Sequence, residues 1–191
     1  MAESISQYPM VDKFLRYLQV EKNTSPLTVK NYAADISLFS NFLAERLGKD
    51  FQWQKIGVLD IRAYLVLLNK EKYARTTIAR RISSLRSFYK FLMRENYVEQ
   101  NPFVKVRTPK LEKRLPVFLE ELEINEILTL PDKDTLGLRD QAILELLYAT
   151  GCRVSELVGL TVTNIDLGSQ YVLLLGKGNK ERFVYFGTPC R

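Results

Sequence analysis

The chain contains no histidine. Histidine is the most usual general base near neutral pH and the commonest metal ligand. Its absence excludes a zinc hydrolase and a Ser-His triad. Cysteine is nearly absent too: Cys152 and Cys190 stand apart, in no metal-ligand spacing. Two reduced thiols of a cytoplasmic protein are expected, with no bound metal. No apolar run approaches the roughly 18–20 residues that a membrane span needs. Met1–Gln7 has neither a basic n-region nor an apolar h-region, so no secretory signal and no membrane partner are expected. Acidic residues are missing between Lys72 and Arg94, a stretch with seven Lys/Arg.

What is present is a foldable chain of 191 residues with 46% hydrophobic and 11% aromatic residues. That length suits one domain or two small ones. Charge is unevenly placed. Residues 1–114 carry 21 Lys/Arg against 11 Asp/Glu, and residues 115–191 carry 7 against 11. A basic first half points to a polyanionic partner.

The pattern predicts a fold that is mainly α with a small antiparallel β-hairpin or sheet. Apolar spacing marks helices from Pro9 to Val20, from Pro26 to about Gly48, from Val58 to Leu68 and from Thr76 to Arg94. Ser25-Pro26 reads as an N-cap followed by a first-turn proline. These four helices form a small bundle. Three prolines between Asn101 and Pro116 then favour an extended basic linker. Helices follow near Leu119–Leu130 and Leu138–Ala149, the latter stopped by Gly151. Strands are expected at Tyr171–Leu175 and Arg182–Phe186 around a glycine-containing turn.

On the fourth helix, Arg80, Ser83, Ser87, Lys90 and Arg94 share a face opposite the apolar stripe. Thr76, Thr77, Arg81 and Ser84 lie toward its start. Guanidinium, ammonium and hydroxyl groups so placed suit DNA phosphates and major-groove base edges. The same pattern fits a solvated basic face, although such faces usually mix both signs. Thr28 and Lys30, at the start of the second helix, are further DNA-binding candidates beside Thr24, Ser25 and Asn31; on these residues alone, simple N-capping is the preferred reading.

Arg153 follows the Thr150-Gly151 helix stop, and Glu156 lies one turn further. A planar guanidinium can hold a phosphate through two parallel bonds, with Glu156 steadying it. An ordinary i,i+3 surface ion pair fits the same residues. Lys177 follows Arg153 by 24 residues, in a glycine-flanked turn. From there an ammonium could protonate a leaving oxygen; a plain turn lysine is the simpler local reading.

Together Ala149-Thr150-Gly151-Cys152-Arg153-Val154-Ser155-Glu156-Leu157 and Gly176-Lys177-Gly178-Asn179-Lys180-Glu181-Arg182 resemble the tyrosine recombinases of the phage-integrase family, Xer type. Thr24–Tyr32, Ile78–Leu92, Asn101-Pro102 and Leu138-Arg139-Asp140 extend the likeness over nearly the whole chain. The resemblance implies an N-terminal four-helix, SAM-like core-binding domain at residues 5–97, a linker at 98–116 and the first part of an α+β catalytic domain at 117–191. It implies site-specific strand cleavage and rejoining on double-stranded DNA through a phosphotyrosine intermediate, with other recombinase protomers and no cofactor. Arg153 would be the first catalytic arginine, Lys177 the general acid and Glu156 the support of Arg153.

The family's His-x-x-Arg motif, its later His or Trp and its nucleophilic tyrosine find no counterpart in residues 1–191. Tyr148, Tyr171 and Tyr185 fall on expected core-helix or strand positions. DNA binding without cleavage is therefore expected of this chain alone, and the alternative is a non-catalytic DNA-binding protein or regulator derived from a truncated recombinase. Loss of covering helices is expected to expose Val172, Leu174, Val184 and Phe186.

Overall fold

The computed structural model describes residues 8–109, 115–176, 178 and 180–187. The chain divides into two compact units, residues 1–114 and 115–191.

The first unit contains α1 (Pro9–Val20), α2 (Pro26–Leu47), α3 (Val58–Lys70) and α4 (Arg75–Arg94), with a short 3-10 turn at Trp53–Lys55. Ser25 begins α2 as expected: its hydroxyl accepts from the Thr28 amide, and Pro26 occupies the first turn, where no amide hydrogen is needed. Gly57 and Asp60 begin α3 through an Asp60 carboxylate that accepts from the Gly57 amide at 3.1 Å. The apolar faces of all four helices converge on Phe14, Ile36, Phe39, Leu43, Ile61, Ile82 and Leu85, which are fully buried. Burial of one such side chain contributes about 1.5–3 kcal/mol. Tyr89 donates its hydroxyl to the Trp53 carbonyl at 3.2 Å, so its polar end is satisfied inside the core.

The residues expected to begin the linker belong partly to this core. Val98, Phe103 and Val106 are buried, and Phe103 lies edge-on to Phe39 with ring centroids 5.7 Å apart. Arg86 of α4 donates to the carbonyls of Phe103 and Val106. Asn101 donates to the Arg86 carbonyl and accepts from the Phe103 amide. Proline excluded a helix here, as expected, but the apolar residues between the prolines pack against the bundle.

The second unit contains α5 (Glu121–Thr129), α6 (Thr135–Thr150), α7 (Val154–Val158) and a three-stranded antiparallel sheet of β1 (Ile165–Asp166), β2 (Tyr171–Gly176) and β3 (Lys180–Tyr185), in that order. Asp134 caps α6 by accepting from the Gly137 amide at 2.7 Å. A Cβ on Gly137 would collide with the Asp132 backbone, which crosses closely there. Gly151 ends α6 in the left-handed region, with φ 59°.

Strand alternation fixes which face is covered. Val172 pairs with Val184 and Leu174 with Arg182, so these four share a face. The expected exposure of Val172, Leu174, Val184 and Phe186 is not found. Val172, Leu174 and Phe186 are buried with Cys152, and Val184, Leu146, Leu147 and Leu157 pack on them. The helices α6 and α7 supply the cover. It is the opposite face, with Leu175, Phe183 and Tyr185, that is exposed. Tyr148, expected at a core-helix position, is exposed on α6 as well.

Candidate active site and nucleic-acid interface

In the second unit, the Thr-Gly stop of α6 sets the start of α7. Thr150 holds the loop by donating its hydroxyl to the Leu146 carbonyl at 2.6 Å and accepting from the Cys152 amide at 3.3 Å. Arg153 is then the N-cap of α7, and Glu156 is its third helical residue. Glu156 folds back on the cap: its Oε2 accepts from the Arg153 amide at 2.8 Å. Its Oε1 accepts from Arg153 Nη1 at 3.0 Å.

This is not the surface ion pair that local spacing also allowed. The Glu156 side chain is only 4% exposed, while that of Arg153 is 72% exposed. A buried carboxylate thus anchors an outward guanidinium. Glu156 has a second cation that sequence reading missed. Arg182 Nη1 donates to Oε1 at 2.9 Å and Nη2 to Oε2 at 2.7 Å. The Arg182 bonds, then the Arg153 amide, hold the Glu156 carboxyl down at about 2. The signal was present in the alternation of Arg182, Val184 and Phe186, which places Arg182 on the covered strand face.

Lys177 lies outside the described residues, as does Cys190. The strand ends that carry the Lys177 turn are described. Gly176 pairs with Lys180 in the hairpin. A Cβ on Gly176 would stand 3.2 Å from Arg182 Nη1 and 3.6 Å from Glu156 Oε1. The turn therefore starts against the carboxylate that holds Arg153.

In the first unit the basic helix α4 is divided between internal and outward cations. Arg80, Arg81 and Ser84 converge on Asp35 of α2, which is 2% exposed. Arg80 binds both Asp35 oxygens, Nη2 to Oδ1 at 2.9 Å and Nη1 to Oδ2. Ser84 donates to Oδ2 at 2.7 Å. Arg81 lies 3.6 Å from Oδ1 and stacks over the Tyr73 ring at 3.9 Å. Ser84, expected at a DNA-facing position, is buried, and Arg81 is largely so; both serve the α2–α4 contact. The reason is that Asp35 buries a charge, and among the described residues Arg80, Arg81 and Ser84 of α4 are the groups that offset it. Arg80 is half-exposed but has both terminal nitrogens engaged.

Arg94 is also engaged, with Glu21 at 3.3 Å, with Glu95 at 3.1 Å and over the Tyr17 ring at 4.0 Å. The Thr28 hydroxyl meets the Ser25 hydroxyl at 2.8 Å, within the helix cap. Thr76, Lys90 and Lys30 are exposed, and Thr77 and Ser87 are partly so. Lys72 and Arg75 are exposed at the start of α4 and join them as outward cations. The acid-free run marked them, although helical-face counting did not.

Among the described residues no helix is long and apolar enough to cross a membrane.

Comparison with known proteins matches both units. The phage integrase N-terminal SAM-like domain matches residues 11–96, and the phage integrase family matches residues 117–190. The tyrosine recombinase XerC of Bacillus pumilus (strain SAFR-032) is 47% identical over 180 residues, covering 94% of this chain and 58% of the relative. XerC of Bacillus subtilis (strain 168) is 45% identical over 182 residues, covering 95% and 59%. The chain thus spans less than two thirds of the length of these relatives. Two solved structures share the fold. One is a lambda integrase (75–356) dimer bound to a COC′ core site, with TM-score 0.68 and 19% identity, covering 93% of this chain and 59% of that one. The other is the Tn1549 transposon integrase (82–397) in complex with circular intermediate DNA, with TM-score 0.65 and 18% identity, covering 95% and 61%. The N-terminal helical bundle, the buried carboxylate beneath Arg153 and these matches lead to one assignment: the chain belongs to the phage integrase family of tyrosine recombinases, Xer type.

Proposed function

We propose that this chain provides the DNA-binding domain and the first phosphate-holding elements of a site-specific DNA recombinase that acts in the cytoplasm beside other recombinase protomers. The observation that carries this reading is the Arg153–Glu156 arrangement. A buried carboxylate fixes the base of Arg153 and leaves most of its guanidinium outward, where it can meet a phosphodiester. Charge aimed in advance at a phosphate stabilises the extra negative charge that develops in phosphoryl transfer. Lys177, on the turn that starts beside Glu156, is proposed to donate the proton to the leaving 5′ oxygen as a tyrosine–phosphate bond forms on the 3′ side. No metal or nucleotide is proposed, because the phosphotyrosine link conserves the phosphodiester energy for rejoining.

The outward Lys30, Lys72, Arg75, Thr76, Thr77, Ser87 and Lys90 are proposed to meet duplex DNA. Arg80 and Arg94 are proposed to add field strength more than direct contacts. The similarity to XerC-named relatives supports chromosome dimer resolution, in chromosome partition at cell division, over phage integration or element mobility.

The test is a series of duplexes bearing a Xer-type recombination site, each with one phosphodiester replaced by a neutral methylphosphonate. The wild-type chain should lose affinity at the phosphates met by the outward cations of the first unit and, at one further position met by Arg153, should lose about tenfold, the loss expected for one charge-assisted contact. Arg153→Ala should bind that duplex and its unmodified parent equally. A wild-type profile in which every loss persists unchanged in Arg153→Ala would refute the assignment of Arg153 to a phosphate.

A further inference from the structure

We infer that Arg182 is a positioning residue for Arg153, acting through the Glu156 carboxylate between them; this rests on the reading of Arg153 as the phosphate-holding arginine. Arg182 is opposite Leu174 in the hairpin and so belongs to the covered face of the sheet. A cation at such a position is costly unless it is paired. It is paired with both oxygens of Glu156, at 2.9 and 2.7 Å. Each of those oxygens also receives one donor from Arg153, Oε1 from the side chain and Oε2 from the backbone amide. Arg182 therefore fixes the plane of the carboxylate, and the carboxylate fixes both ends of Arg153.

Charge balance leads to the same conclusion. Glu156 alone would neutralise Arg153 and weaken its pull on a phosphate. With Arg182 bound to the same carboxylate, the three groups together carry one net positive charge. Arg153 is the more outward of the two guanidiniums, 72% exposed against 39% for Arg182, so the phosphate meets Arg153 first. Gly176 makes room for this cluster. The 3.2 Å approach that a Cβ would make to Arg182 Nη1 shows how closely the hairpin end is fitted to the pair. The hairpin that carries Lys177 is thereby tied to the helix that carries Arg153.

The experiment is the methylphosphonate comparison on the full chain, performed with Arg182→Gln, with Arg182→Lys, and with Arg182→Gln combined with Arg153→Ala. Arg182→Gln should reduce the roughly tenfold preference for the charged phosphate to near unity, while binding to the methylphosphonate duplex stays as in wild type. Arg182→Lys, which keeps the charge and one contact, should retain an intermediate preference. In the Arg153→Ala background, Arg182→Gln should change nothing further. A full preference in Arg182→Gln would overturn the inference. So would a further loss in the Arg153→Ala background, which would make Arg182 a direct phosphate ligand. If Arg182→Gln fails to fold by circular dichroism, the Arg182→Lys result decides: wild-type preference rejects the inference and intermediate preference supports it. A wild-type chain with no preference would instead reject the reading of Arg153, and the inference with it.

Discussion

The Ser84 hydroxyl donates to the buried Asp35 carboxylate over 2.7 Å, tying the basic helix α4 to α2 from within. Arg80 and Arg81 approach the same carboxylate from the neighbouring turn. Basic residues of one helix thus perform two tasks. Some hold the helix in the bundle, and the rest face outward.

Asp35→Ala should destabilise the first unit by about 3 kcal/mol, at the lower end of the cost of breaking a buried ion pair. Arg81 explains much of this, because its Nε and Nη1 are buried without a hydrogen-bond partner among the described residues, and Asp35 is the anion beside Nε. Urea unfolding followed by Trp53 fluorescence should show a lower midpoint at unchanged slope. An unchanged midpoint would mean that the pair contributes nothing net.

Outward and inward cations should separate in their salt dependence. Lys90→Ala and Lys30→Ala are each expected to reduce the slope of log affinity against log salt by about 1, the effect of one phosphate contact. Arg80→Ala should leave the slope close to wild type and lower thermal stability instead. The reverse pattern would place Arg80 on the DNA and Lys90 in solvent.

Glu156 predicts an acid-sensitive second unit. Its carboxyl is held at about 2, against an ordinary 4.5. A depressed folded-state value means stability that is present above the ordinary value and lost as pH falls toward the depressed one. The second unit should therefore weaken between about pH 4.5 and 2, and Glu156→Gln should remove that part of the pH dependence. Proton titration observed by carboxyl-selective NMR gives the value directly; a midpoint near 4.5 would contradict the clamp.

Phe103→Ala should cost the first unit about 3–5 kcal/mol, as for other buried aromatic truncations. It should also release residues 101–106 from the bundle, because Phe103 is the fully buried residue of that segment. Limited proteolysis should then cut within this stretch. Resistance equal to wild type would show that the Arg86 bonds to the Phe103 and Val106 carbonyls suffice.

The helices were legible because their apolar residues recur at helical spacing and their ends carry Ser25-Pro26, Gly48 and Gly151. Arg153 and Glu156 were legible through their separation and their place after a helix stop. Two features were not. Helical periodicity shows that Ser84 is near the apolar stripe, but it cannot show that an acid on another helix, Asp35, will draw it inward. The partnership of Arg182 with Glu156 links positions 26 residues apart in sequence, and it depends on the hairpin register, which local patterns do not fix. The packing of Phe103 was missed for a related reason: proline excludes a helix, but it does not exclude docking.

The most direct measurement is fluorescence anisotropy of the wild-type chain on two labelled duplexes, a Xer-type recombination site and a shuffled version, at two salt concentrations. Tighter binding to the recombination site at both salts is the expected result, because base contacts discriminate where phosphate contacts cannot. Equal binding to both duplexes that collapses together with added salt would contradict site-specific recognition and leave only a basic surface.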